Sequence, residues 1–204
     1  CWPDSLGARA RSFPVSRFGR RRGLERDRGL SAAGAWVTIE GQEVLFAAVD
    51  LQSRGADGSA HDRLREVQAS VLRDAAAAAA STADGTRPIV IGGDLNLVGS
   101  ARPLDRLARA LDGAGDLVAA PARRFLDQSY ATWRSEADVD FTPGRLDFIL
   151  VPPSSLDIDR AFVFDAEDLT ERLRESLGVE AGDNRVTSDH LPVVVDLRVR
   201  APAL

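Results

Sequence analysis

Three short polar segments break into apolar runs of this chain, and each sets carboxylates or an imidazole where burial is costly unless the group serves a purpose. In the first, Gly92-Gly93-Asp94-Leu95-Asn96 follows the apolar Ile89-Val90-Ile91. Asp94 and Asn96 are two residues apart, so in extended backbone they face the same side. The glycines ahead of them permit a tight turn and the close approach of a ligand. Gly-Asp and Asp-x-Asn are equally ordinary turn chemistry, so this segment alone fits either use. The second segment, Arg145-Leu146-Asp147-Phe148-Ile149-Leu150, places a carboxylate inside an apolar strand, where its charge must be matched. Arg145 or another arginine is the candidate partner. The third, Ser188-Asp189-His190-Leu191-Pro192-Val193, sets a carboxylate beside an imidazole at the head of a strand. A single histidine there can be a catalytic group or a hydrogen-bonded core residue, and His61, at a helix start, is read in the second way.

Holding such groups requires a scaffold, and the hydrophobic pattern supplies one. Residues 36–39 and 44–49, separated by Glu40-Gly41-Gln42, read as two paired strands, the second buried on both faces. Ser59-Ala60-His61-Asp62 caps a helix that Leu64, Val67 and Val71 continue into the alanine run of residues 75–80. Residues 88–91 form a short buried strand, and Leu104, Leu107 and Leu111 mark a second amphipathic helix after Pro103. Residues 146–151 and 158–164 read as strands. Leu169, Leu173 and Leu177 form one helix face stopped by Gly178, and residues 191–199 give a last strand. The alternation predicts a mixed α/β class with layered sheets and helices outside them.

The 204 residues, 44% hydrophobic, fit one domain. Residues 1–34, dense in arginine with Phe13 and Phe18 interleaved, read as an irregular lead-in, and residues 35–204 as the domain that holds the three segments. A net charge of -5 argues against nucleic-acid binding by overall positive charge, and leaves small or locally gripped phosphoesters open. All basic side chains are arginine. The single cysteine, Cys1, rules out an intrachain disulfide and any cysteine metal cluster. There is no apolar run of transmembrane length and no signal-like opening. The sequence contains no methionine, so the expectation is that a preceding segment has been removed by truncation or cleavage, a lipoprotein start at Cys1 being the alternative.

Taken together and in this order, the three segments resemble the endonuclease/exonuclease/phosphatase superfamily, with its Gly-Asp-x-Asn motif, Arg-x-Asp strand and terminal Ser-Asp-His. Thr132-Trp133 and Val49-Asp50-Leu51-Gln52, with Arg65 and Gln68 on the following helix, fit the same pattern. The resemblance covers about residue 35 to the end. It implies a four-layered α/β sandwich of two packed mixed sheets flanked by helices, and hydrolysis of phosphate esters, most readily phosphodiesters of the nuclease or phosphodiesterase type. It also implies roles. Asp94 would orient and deprotonate a water, and Asn96 would place that water or donate to a phosphoryl oxygen. Asp189 would contribute to a metal shell, and His190 would contact the phosphate. Asp147 would accept the other ring N–H of that histidine. Oxygen donors of this kind suit Mg²⁺, with Mn²⁺ as a substitute, rather than a tetrahedral zinc.

The chain departs from the family pattern in two respects. The Trp-Asn and Gln-Glu motifs that family members carry towards the N-terminus do not occur before Trp36, so N-terminal strands are expected to be missing. Asp50 stands where many members have the histidine of a Thr-His-Leu motif. An aspartate there would repel a phosphate, so it is expected to hold an arginine or a metal-bound water instead. Two alternatives to a self-sufficient enzyme follow: a scaffold of the same fold without turnover, or a fragment completed by an N-terminal piece from a second chain. The substrate's identity would be set by loops between residues 97 and 145.

Overall fold

The structure, a computed structural model, describes residues 29–109, 116–134 and 143–200. Its centre is a five-stranded mixed sheet. A hairpin of β1 (Ser31–Ile39) and β2 (Gln42–Asp50) begins it, closed by Glu40 and Gly41 at φ 49° and 86°. Positive φ at both central residues gives the turn whose twist matches that of the flanking strands. The chain then crosses over through α1 (Ala60–Ala80), adds the small hairpin β3 (Ser81–Thr82) and β4 (Gly85–Thr86), and returns as β5 (Ile89–Asp94) parallel to β2. After α2 (Arg102–Ala108) and β6 (Val118–Ala119), β7 (Asp147–Val151) runs antiparallel to β5, giving the order β1-β2-β5-β7-β6. A second sheet pairs β8 (Leu156–Val163) with β9 (Val193–Val199). Between them lie α3 (Glu171–Leu177) and α4 (Asp183–Thr187).

The alternation of side chains along the central strands creates two cores. On one face Leu45, Ala47, Val49, Ile89, Ile91, Phe148 and Leu150 meet Ala69, Leu72, Ala76 and Ala80 of α1. On the other, Val44, Val90 and Val151 meet Leu156 of β8, with Ile158 and Leu197 packed against them. This is the layered α/β arrangement expected. The alanine run is helical because alanine loses no side-chain entropy in a helix, and its small side chains bring α1 close to the sheet. Ser59 caps the helix, its side chain accepting from the Asp62 backbone N–H.

Several local expectations differ from the structure. β1 begins at Ser31, inside the stretch read as lead-in, because residues as small as Ser31, Ala32, Ala33 and Gly34 draw their strand conformation from pairing with β2 rather than from their own propensity. Residues 1–28 of the arginine-rich lead-in lie outside the described residues, as does Leu111. β2 is buried on both faces only over its first half, where Val44 and Leu45 enter different cores, and Ala48 on the Val44 face is exposed. Val67 is exposed, and the inner face of α1 carries Asp62, Arg65 and Gln68 instead. Leu173 and Leu177 of α3, expected as a buried stripe, are 44% and 56% exposed. Among the described residues, no helix is long and apolar enough to cross a membrane.

One contact fixes how closely β2 and β5 approach where they end. Gly93 has φ 138°, and a Cβ built on it would lie 2.0 Å from the Val49 carbonyl oxygen. Neither the backbone conformation nor the space admits a side chain. Gly93→Ala is expected to destabilise the protein by about 3 kcal/mol or more. For a chain of this size that lowers the thermal midpoint by roughly 6 °C or more. An unchanged midpoint in a differential scan would show that the strand ends are not held this tightly.

Candidate active site

The strand register brings the first two polar segments together. Asp50, Asp94 and Asp147 are direct neighbours across β2, β5 and β7. Asp94 Oδ1 accepts from the Asn96 backbone N–H at 2.7 Å, so the turn chemistry and the site are one feature. Asn96 takes φ 48° and is buried, and its Nδ2 donates to the Leu51 carbonyl at 2.8 Å and to Asp50 Oδ1 at 3.3 Å. Both amide N–H groups are thereby used, and among the described residues Asn96 Oδ1 has no partner. Asp50, expected to hold an arginine or a metal-bound water, receives the Asn96 amide and has no arginine partner among the described residues.

The third segment reaches the same place from the other end of the chain. His190 Nδ1 lies 2.8 Å from Asp147 Oδ2, and its Nε2 lies 3.9 Å from Asp94 Oδ2. The competing Arg145–Asp147 ion pair does not form. Residues 132–134 fasten these parts. Thr132 Oγ1 accepts from the backbone N–H groups of Leu146 and Asp147, both at 3.0 Å, and the Thr132 carbonyl accepts from Leu191 N–H at 2.6 Å. Trp133 forms backbone bridges to Gly144 and His190, and its indole N–H donates to Asp189 Oδ2 at 2.8 Å. The indole sets the orientation of an exposed carboxylate and leaves Oδ1 without a partner among the described residues.

These residues line a cleft of about 1210 Å³ with Asp50, Asp94, Asn96, Trp133, Asp189 and His190 in its wall. Its opposite lip is the loop after β2. The fully buried Arg65 of α1 donates to the carbonyls of Gln52 at 2.9 Å, Arg54 at 2.5 Å and Gly55 at 3.1 Å, and to Asp62 Oδ1 at 3.0 Å. Gln68 Oε1 accepts from Gln52 N–H at 2.8 Å. Burial alone would raise the Asp62 carboxyl, but the N–H groups of Gly58 and Ser100, the Ser100 hydroxyl and Arg65 hold it well below the usual carboxylate range. Removing either partner of so buried a pair costs roughly 3–5 kcal/mol, because the other charge is left unmatched. Sequence reasoning singled out Arg65 and Gln68 but not Asp62, whose place at a helix start reads as an ordinary first-turn acid. It also missed a carboxylate network in which Arg134, next to Trp133, and Arg124 meet the buried Asp165.

Crowding shifts the titrating groups. Burial pushes Asp94 up to about 6; the Asn96 N–H pulls it back, the charge of Asp147 raises it further, His190 lowers it and Asp50 raises it. Burial lowers the His190 pKa, but the hydrogen bond and charge of Asp147, then the charges of Asp94 and Asp189, outweigh it and leave the imidazole above its ordinary value. Oxygen donors dominate the cleft, which suits Mg²⁺. Among the described residues no three histidine, cysteine or acidic side chains converge as a metal cage. That still fits Mg²⁺, which is commonly held by one or two carboxylates, waters and substrate phosphate.

The comparisons identify the family to which a chain with this fold and these strand-end residues belongs. A family model described as Endonuclease/Exonuclease/phosphatase family matches residues 10–190, and the chain belongs to that family. Members hydrolyse phosphate esters and are generally dependent on a divalent metal. A mannosyl-6-phosphatase from Bacteroides thetaiotaomicron has a similar structure, with TM-score 0.58, 18% identity, and coverage of 87% of this chain and 60% of that one. The human Nocturnin catalytic domain with bound sulfate gives 0.55 and 21% over 85% of this chain and 54% of that one. An endonuclease/exonuclease/phosphatase family protein from B. thetaiotaomicron gives 0.52 and 20% over 81% and 54%. This chain thus spans 54–60% of the length of these structures. No curated protein matches the sequence.

The Asp147–His190 bond has a pH signature. A histidine whose folded pKa lies above its ordinary 6.5 stabilises the fold fully below that value, and the contribution is lost as pH rises through the raised pKa. NMR titration should give a His190 midpoint above 6.5 in the wild type and a lower one in Asp147→Asn. Equal midpoints in the two proteins would mean that the bond does nothing for the imidazolium.

Proposed function

We propose that the protein hydrolyses phosphodiesters in a Mg²⁺- or Mn²⁺-dependent reaction, and that this chain carries much of the catalytic machinery. The observation that supports this most directly is the convergence of Asp94, Asn96 and His190, the last bonded to Asp147, on one cleft. Phosphodiesters resist hydrolysis because their anionic oxygens repel nucleophiles, so catalysis requires an oriented water, a base and cationic or hydrogen-bonding groups around phosphorus.

The residues divide that work. Asp94, with its carboxyl raised towards neutrality, accepts a proton from the attacking water, as a base whose pKa lies near the working pH does best. Asn96 has two roles open to it in sequence. Its N–H groups are engaged by Leu51 and Asp50, so it places the water through its free Oδ1 rather than donating to a phosphoryl oxygen. His190, kept protonated by Asp147, presents Nε2–H to the phosphoryl group. Asp189, oriented by Trp133, offers its free carboxylate oxygen to the metal. When bound, the cation supplies Lewis-acid charge to the phosphoryl oxygens. Asp50 keeps Asn96 in place and makes no substrate contact.

The test is turnover of bis(p-nitrophenyl) phosphate, with p-nitrophenyl phosphate as the monoester comparison. Asp94→Ala and Asn96→Ala should each lower kcat by about 10²-fold or more, corrected for folded fraction. Chelation should abolish turnover and Mg²⁺ restore it. Unchanged kcat in either variant, or undiminished turnover in chelator, would overturn the assignment, and a preference for the monoester would move it to phosphatase chemistry.

A further inference from the structure

Arg145 takes no part in the chemistry proposed above, yet it lines the same cleft as Asp94, Asn96 and His190. It immediately follows Gly144, which is bridged to Trp133, and precedes the strand that carries Asp147. Its guanidinium is half-buried, 4.3 Å over the Phe148 ring and 5.3 Å from the Tyr130 ring, whose face Arg123 also covers at 4.3 Å. Among the described residues, one of its five N–H donors meets a protein acceptor: Nη2 donates to the Ala120 carbonyl at 2.7 Å. Among the described residues, no carboxylate lies within ion-pair distance. Three other buried or half-buried arginines have carboxylate partners. Arg65 has Asp62, Arg124 has Asp165 and Asp168, and Arg134 has Asp165 and Glu167.

A guanidinium clamped by two rings and one carbonyl is fixed in orientation but not neutralised. Burial accordingly pulls its pKa down. The remaining donors form a planar fork of the kind that grips phosphoryl oxygens two at a time. The surroundings supply a reason for a cation here. Asp50, Asp94, Asp147 and Asp189 make the adjoining wall acidic, and an anionic substrate approaching it meets repulsion that a fixed positive charge offsets.

We propose that Arg145 binds a second phosphoryl group of the substrate, adjacent to the scissile ester on the Trp133 side of the cleft, so that the preferred substrates are phosphodiesters bearing an additional phosphate. This deepens the phosphodiesterase reading and rests on it for the identity of the reacting ester. Arg145 is then a substrate-binding and specificity-determining residue, separate from the groups that act at phosphorus.

Calorimetric titration of the protein with thymidine 3′,5′-bisphosphate and with thymidine 5′-monophosphate measures the subsite without turnover. The bisphosphate should bind about tenfold more tightly, as expected for one added charge-assisted contact. Arg145→Gln should bring the two affinities together while leaving the monophosphate nearly unaffected. Equal affinities in the wild type overturn the proposal whether or not the variant folds, and so does a preserved ratio in a folded Arg145→Gln. A second measurement compares kcat/KM for thymidine 5′-(p-nitrophenyl phosphate) with and without a 3′-phosphate, where Arg145→Gln should erase the wild-type preference. Absence of hydrolysis of both esters alongside a preserved binding preference would sink the catalytic reading and leave the anion subsite standing. Hydrolysis of both without any preference would do the reverse.

Discussion

Asp50, Asp94 and Asp147 stand side by side at the ends of three hydrogen-bonded strands, and carboxylates so placed repel one another. The surrounding structure is organised around containing that repulsion. Asp94 yields by titrating near neutrality, Asp147 by pairing with His190, and Asp50 by accepting the Asn96 amide. Each solution uses a different element, so the three strand ends, the turn after β5 and the head of β9 have to meet within hydrogen-bond distance. The tight approach of Gly93 to Val49 sets one of these spacings, and Thr132, accepting from two successive N–H groups at the start of β7, sets another.

Rigidity at the site therefore comes from groups that have no chemistry of their own. Arg65 takes the carbonyls of Gln52, Arg54 and Gly55, which a loop of that shape would otherwise turn to water, and Asp62 balances its charge in full burial. This is an expensive way to hold a loop, because both ions are desolvated. It is also a directional one. A hydrophobic plug of equal volume could fill the space under the loop but could not fix three carbonyls, nor the φ of 69° and 86° at Arg54 and Gly55 that shapes the lip of the cleft. On the other side, the Trp133 indole performs the corresponding service for Asp189 with a single hydrogen bond.

What could be read in the sequence follows from the range of the forces involved. Hydrophobic period and capping are local, so β2, α1, β5, β7 and β9 are visible in the residues that form them. The Gly-Asp-x-Asn and Ser-Asp-His segments stand out because polar groups interrupt apolar runs. Pairing information is not local. Neither the neighbour relation of Asp50 to Asp94 nor the burial of Asp62 is inscribed near those residues, since both depend on the register of β2 against β5 and on α1 folding back over the loop. Leu173 and Leu177 have helical spacing with Leu169, yet Leu169 precedes α3 and the other two stay largely open to solvent, because periodicity announces a helix without naming the surface that receives it. An apolar strand cannot leave a carboxylate unmatched, but that demand alone does not name the partner of Asp147: the family resemblance implies His190, 43 residues on, and the structure decides for it over Arg145.

That choice also determines the electrostatics of the cleft. Had Asp147 paired with Arg145, the imidazole would lack its main source of protonation, and the wall would hold a neutralised arginine. Pairing with His190 instead spends the aspartate on the group nearest Asp94 and leaves the guanidinium to the two aromatic rings. The cleft is thereby divided into an acidic centre, where charge is held by hydrogen bonds, and a cationic flank stabilised by stacking. An acidic centre alone attracts metal but repels phosphate, and a cationic flank alone binds phosphate without reacting. In the proposed reaction only the combination would draw an anionic ester onto a base, and a single choice of partner by Asp147 creates it.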